Sequence, residues 1–195
     1  MHLMRRHALV VMVAAVAISC AACSEPGAQD DGQTDVAAPS GEPSGTHLAP
    51  DLEARLPDEL RAVPLTTAST VGQAVFADDA WSQVMTEFLD GVDRTPSDLR
   101  FAQVWDPGTE LGLDAGVFQV PGVAATAVRQ ALVDSARPNA PGLTEATETM
   151  GGKPVTAVVY PGDGPTLYLY EYDDLVFYVG TRDHDLAVDF LAGLP

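Results

Sequence analysis

The chain has 195 residues, 46% of them hydrophobic, and a formal net charge of −18 at pH 7. A surface this acidic repels phosphate backbones and anionic headgroups, which excludes nucleic acid as a partner. The only cysteines are Cys20 and Cys23, so the region beyond them holds no thiolate nucleophile, no disulfide and no cysteine metal site.

The first element is a leader. Arg5 and Arg6 precede an unbroken apolar run from Ala8 to Ile18, shorter than the ~20 residues needed to span a bilayer. Basic residues, an apolar stretch and a small residue before a cut make a secretory signal peptide. The tetrad Ala17-Ile18-Ser19-Cys20 resembles the lipobox of bacterial lipoproteins, although the usual Leu three residues before the cysteine is Ala17. The resemblance covers this segment alone. It implies a signal peptide over 1–19, a lipid on the Cys20 thiol, and attachment to the extracytoplasmic face of the cell membrane. Cys23 is the alternative anchor, but a thiol, Cys20, stands where its pattern wants an aliphatic residue. A secreted chain cut near Ala22 is the other alternative. Loss of Arg5 and Arg6 with the leader takes the net charge from −18 to −20.

From Cys20 to about Arg55 the chain has no hydrophobic period. It holds Pro26, Pro39, Pro43 and Pro50 and the acids Glu25, Asp30, Asp31, Asp35 and Glu42. Such a segment buries too little apolar surface to offset its ordering entropy. It is expected to be a disordered tether reaching roughly 30 Å. A single globular domain is expected over 56–195, long enough to build a core without disulfides.

Within that domain, Val63 to Thr66 reads as a short strand. Asp78 or Asp79 caps a helix running to Gly91, whose apolar stripe is Trp81, Val84, Met85, Phe88 and Leu89. Thr95 to Asp98 is a turn, and Leu99–Trp105 is a strand broken by Asp106-Pro107-Gly108. Leu111–Val120 returns beside it. A second helix follows Pro121-Gly122 with Ala124, Ala127, Val128, Ala131 and Leu132 inward, and stops before Arg137-Pro138. Beyond Gly151-Gly152, a strand runs to Tyr160, and Pro161 to Pro165 is a turn. Leu167–Tyr172 and Leu175–Gly180 form a hairpin about Asp173-Asp174. Asp183 caps a last helix carrying Leu186, Ala187, Phe190 and Leu191.

At a spacing of 59 residues Val117 to Val120 aligns with Val176 to Val179, and Ala127, Val128, Ala131 and Leu132 align with the last helix. This suggests two tandem strand-hairpin-helix half-repeats, about 60–137 and 143–195. The expected fold class is α+β: an antiparallel sheet with helices packed on one face.

The chemistry-bearing residues are few. His184 is the one histidine of the expected domain, so a zinc site of ordinary ligands has too few donors. None of Ser69, Ser82, Ser97 or Ser135 lies in a G-x-S-x-G turn. Asp78-Asp79 and Asp173-Asp174 read as a cap and a turn, and Pro161-Gly162-Asp163-Gly164 lacks the Lys of a phosphate loop. No catalytic residue, metal or cofactor is expected. One row invites a binding reading: Tyr168, Tyr170 and Tyr172 share one side of their strand, and Tyr178 sits on the next. If the Leu/Phe side packs on the helices, the tyrosines line an open face, and tyrosines are frequent contact residues. The expected function is a non-catalytic binding or accessory lipoprotein of the envelope with a protein or peptide partner. The alternatives are an envelope hydrolase using acidic residues and a carrier of an apolar ligand.

Overall fold

A computed structural model describes residues 46–76, 80–162 and 164–195. Cys20, Cys23, the leader, most of the expected tether, and Asp78, Asp79 and Asp163 lie outside the described residues.

The described chain opens with helix α1 (Pro50–Glu53) and a two-stranded hairpin, β1 (Glu59–Leu60) and β2 (Val63–Pro64). Strand β3 (Thr66–Val71) leads through a 3-10 turn towards α2 (Ala80–Gly91). Then come β4 (Arg100–Trp105), β5 (Asp114–Gln119), α3 (Ala125–Ala136), β6 (Thr144–Met150), β7 (Lys153–Val159), β8 (Thr166–Tyr172), β9 (Leu175–Thr181) and α4 (His184–Ala192). Seven strands form one sheet in the order β3-β4-β5-β9-β8-β7-β6, and every neighbouring pair is antiparallel. The fold is α+β, as its alternation of strand and helix patterns indicated.

Local chemistry sets the ends of the elements. The Asp183 carboxylate accepts from the backbone N–H groups of Asp185 and Leu186 at 3.0 and 3.1 Å, the N-cap expected for α4. Thr95 and Asp98 form a reciprocal capping box before β4. Asp173, at φ 55°, and Asp174 close a two-residue turn that pairs Tyr172 with Leu175. Gly151 and Gly152 turn β6 into β7 with φ of 57° and 80°, the both-positive geometry of a tight hairpin. A Cβ on Gly151 would lie 2.9 Å from the Ala192 nitrogen, so glycine also lets this turn seat against the end of α4.

The helices cover both faces of the sheet, which corrects the one-face expectation. On one face α1, Leu56, Leu60 and α4 pack on Ala102, Val117, Tyr168, Phe177 and Val179. On the other, Met85 and Leu89 of α2 and Val128, Leu132 and Val133 of α3 pack on Leu169, Val176 and Tyr178. In α3 the inward set is Ala125, Val128, Ala131, Leu132 and Val133; Ala124 is exposed as the N-cap.

The half-repeats hold as chain order and fail as symmetry. Two three-strand meanders, β3-β4-β5 and β7-β8-β9, meet along the antiparallel β5–β9 pair. A twofold axis relating them stands normal to the sheet and leaves both following helices on one face. Instead α3 and α4 lie on opposite faces, and Val117 and its 59-residue match Val176 point to opposite cores.

The domain also begins earlier than expected. Residues from Thr46 onward, read above as tether, are folded: His47 bridges Ser69 in parallel along the outer edge of β3, and Ala49 and Leu52 are buried in the α4-side core.

Candidate functional site

The tyrosine row is not an open face. Tyr168, Tyr170 and Tyr178 are 7%, 8% and 6% exposed, and Tyr172 is partly buried. The hairpin register explains this. The two-residue turn pairs Tyr170 with Phe177 and Leu169 with Tyr178, and directly opposed residues share a face. The tyrosines of β8 therefore lie with Phe177 under α4, while Tyr178 lies with Leu169 under α3. The four belong to two cores. Tyr170 stacks on Phe177 with centroids 6.0 Å apart, its hydroxyl donates to the Pro195 carbonyl at 3.1 Å, and the Lys153 ammonium stands 5.5 Å over its ring. It fastens the C-terminus.

On the other face, the Tyr178 hydroxyl donates to Oδ1 of Asp114 at 3.2 Å. The ring reaches there because Gly116 has no side chain: a Cβ would lie 2.8 Å from Tyr178 Cε1 and 2.4 Å from the Ala102 carbonyl oxygen. Burial pushes the Asp114 carboxyl above its usual range, while the phenol's hydrogen bond pulls it partly back. Burial also drives Tyr178 well above the ordinary phenol value, with the negative charge of Asp114 adding to it. Burial and then Asp114 raise Tyr160 as well. A carboxyl bonded to a buried phenol is a satisfied polar pair; each group answers the other's need for a partner.

A concave surface lies at the N-terminal end of the domain. Pro50, Glu53, Ala54, Leu56, Asp58, Leu65 and Thr67 line an open groove of about 550 Å³. Proline at the first position of α1 starts the short helix. Asp58 and Leu65, which flank the β1–β2 hairpin, complete the lining, and the hairpin's turn residues Arg61 and Ala62 stand at φ 52° and 61°. Arg61 holds that hairpin to α4 through Asp183 at 2.9 Å and Asp189 at 2.7 Å. Oε2 of Glu53 accepts from His47 Nδ1 at 2.8 Å and from the Thr67 hydroxyl at 3.4 Å. Its Oε1 is buried and has no hydrogen-bond partner among the described residues. With Asp58 nearby, the groove combines carboxylates with the aliphatic surface of Leu56 and Leu65, a lining that suits a cationic group on an apolar stem.

The hydrolase candidates do not converge. The Ser69 hydroxyl accepts from the Ala49 N–H at 2.7 Å, and that of Ser135 donates to the Leu132 carbonyl at 2.7 Å. His184 stands exposed at the start of α4, 3.6 Å from the Asp185 carboxylate, with its ring edge-on to Tyr168. Among the described residues there is no group of three or more His, Cys, Asp or Glu placed to hold a metal, and no helix long and apolar enough to cross a membrane. Comparison with known protein families and with characterised proteins gives no match.

The groove leaves little trace in the sequence. His47 and Glu53 lie in the stretch expected to be tether, and the spacing of Ala49 and Leu52 among polar residues is too brief to signal a folded segment.

Proposed function

We propose that this protein is a lipid-anchored accessory protein of the cell envelope that binds a protein or peptide partner without catalysing a reaction. The observation that carries the reading is the Ala17-Ile18-Ser19-Cys20 tetrad behind an apolar run with basic residues before it. Cys20 holds the chain to the extracytoplasmic face, and the acidic spacer stands the folded domain off the anionic membrane surface. The hydroxyls of Ser69 and Ser135 and the rings of Tyr168, Tyr170 and Tyr178 serve the domain's own packing, and its net negative charge favours basic partners. The groove beside α1 supports this, because Glu53 and Asp58 offer carboxylates against an aliphatic wall.

Fractionation of cells expressing wild type and Cys20→Ala tests the anchor. Wild type is expected in the membrane fraction and Cys20→Ala in the soluble extracytoplasmic fraction. Unchanged membrane retention of Cys20→Ala overturns the assignment.

A further inference from the structure

The two edges of the sheet are treated differently. The outer edge of β3 is occupied by the chain itself: Ser69 N–H donates to the Thr46 carbonyl at 2.8 Å, and Leu48 N–H donates to the Ser69 carbonyl at 3.3 Å. At the other end β6 is the last strand, and among the described residues nothing pairs with its outer side. Thr144 to Thr149 are all exposed. The strand is paired with β7 over its whole length, from Thr144–Val159 to Met150–Lys153. It contains no proline.

The hairpin register says which backbone groups are free. A two-residue turn closes on a hydrogen-bonded pair, here Met150–Lys153, and hydrogen-bonded and non-bonded pairs then alternate. Glu148, Ala146 and Thr144 therefore bond to β7, while Thr149, Thr147 and Glu145 turn their N–H and C=O groups outward. The pairing of Thr149 with Pro154, which has no N–H, agrees with this phase. Three residues in a row of alternate positions thus present donors and acceptors at the spacing of a strand.

We infer that the outer edge of β6 takes up an extended, basic segment of a partner protein as an eighth strand, through the backbone of Glu145, Thr147 and Thr149. Charge selects the occupant. Glu145 projects on the α3 side, where Arg129 and Arg137 meet it. Glu148 projects on the other side, exposed and without an ion-pair partner among the described residues. An added antiparallel strand sets one side chain opposite Glu148, and a lysine or arginine there completes the pairing, whereas Glu145 is already paired with Arg129 and Arg137. A second copy of this chain brings its own Glu148 diagonally near the first and joins two strongly acidic bodies. The same Glu148 that selects a basic strand therefore disfavours self-pairing. Main-chain bonds supply affinity and the flanking charges supply choice, as in other strand-addition interfaces. This rests on the reading of the protein as a binding module, but not on its lipid anchor.

The test uses the full chain, purified in detergent, and a fluorescent heptapeptide, acetyl-Thr-Val-Lys-Thr-Val-Thr-Thr-amide, titrated by anisotropy. In the antiparallel register its lysine opposes Glu148. N-methylation at its second, fourth and sixth residues blocks the N–H groups that face β6 and is expected to weaken binding by roughly tenfold or more. Methylation at the third and fifth residues, whose N–H groups point away, leaves binding unchanged. Thr147→Pro removes an outward N–H and spares the ladder to β7, so the variant folds with wild-type circular dichroism and loses the peptide. Equal effects of both methylation patterns, no measurable binding of the unmethylated peptide, or concentration-dependent dimerisation that competes with it overturn the proposal. Failure here leaves the Cys20 fractionation result untouched, so the two readings fail separately.

Discussion

Tyr178 and Asp114 are joined by a 3.2 Å hydrogen bond under α3, on the face of the sheet opposite to Tyr170. That one contact decides two matters. With the pairing of Tyr170 to Phe177 and Leu169 to Tyr178, it sets the tyrosines of β8 and β9 on different surfaces, and it places a carboxyl where burial raises its pKa.

The Asp114 carboxyl has the opposite pH linkage from the other perturbed carboxyls. Asp51 is held low by its hydrogen bond from Arg100, Asp98 by the Thr95 N–H, Asp106 by the Leu111 N–H and Asp183 by the Leu186 N–H. Their stabilising contribution is present above the ordinary value of 3.8 and is lost as pH falls through their lowered values. Asp114 contributes stability that is complete below 3.8 and is lost as pH rises through its raised value. Asp114→Asn keeps an acceptor for Tyr178 and removes the charge. Thermal melts across pH are expected to show the variant matching wild type in acid and exceeding it at neutral pH. A variant less stable than wild type at neutral pH contradicts this.

Tyr170 is structural. Tyr170→Phe loses only the bond to the Pro195 carbonyl and is expected to cost about 1 kcal/mol. Tyr170→Ala also opens a cavity against Phe177 and is expected to cost about 3–5 kcal/mol. Urea denaturation measures both. A full-stability Tyr170→Ala returns the residue to the surface and to a binding role.

The N-terminal segment belongs to the domain. Leu52 is 2% exposed within the α4-side core, so Leu52→Ala is expected to cost about 2–5 kcal/mol. In a flexible tether the same change costs nothing. Chemical denaturation of the pair reads the difference directly.

Much of this was legible from residue patterns. Trp81, Met85, Phe88 and Leu89 recur at helical spacing, and α2 is there; Asp183 stands before Leu186 and Phe190, and caps α4. What escaped had little hydrophobic contrast. The strand β6 is Thr-Glu-Ala-Thr-Glu-Thr-Met, exposed to its last residue, so no alternation betrays it. Most of β3, Thr66–Val71, is small and polar and escaped for the same reason. The tyrosine face was misplaced for a different reason. Alternation along one strand says which residues share a side, but not which side of the neighbour they join. That depends on register, and here the Asp173-Asp174 turn sets it by pairing Tyr172 with Leu175. Glu53 carried no signal at all, since its groove is made by segments on either side of the β1–β2 hairpin.

Mass spectrometry of the mature N-terminal peptide, taken from membranes of expressing cells, reads the attachment at Cys20. The first residue is expected to be Cys20, with a mass that carries a thioether-linked diacylglyceryl group. A first residue other than Cys20, or an unmodified Cys20, contradicts it.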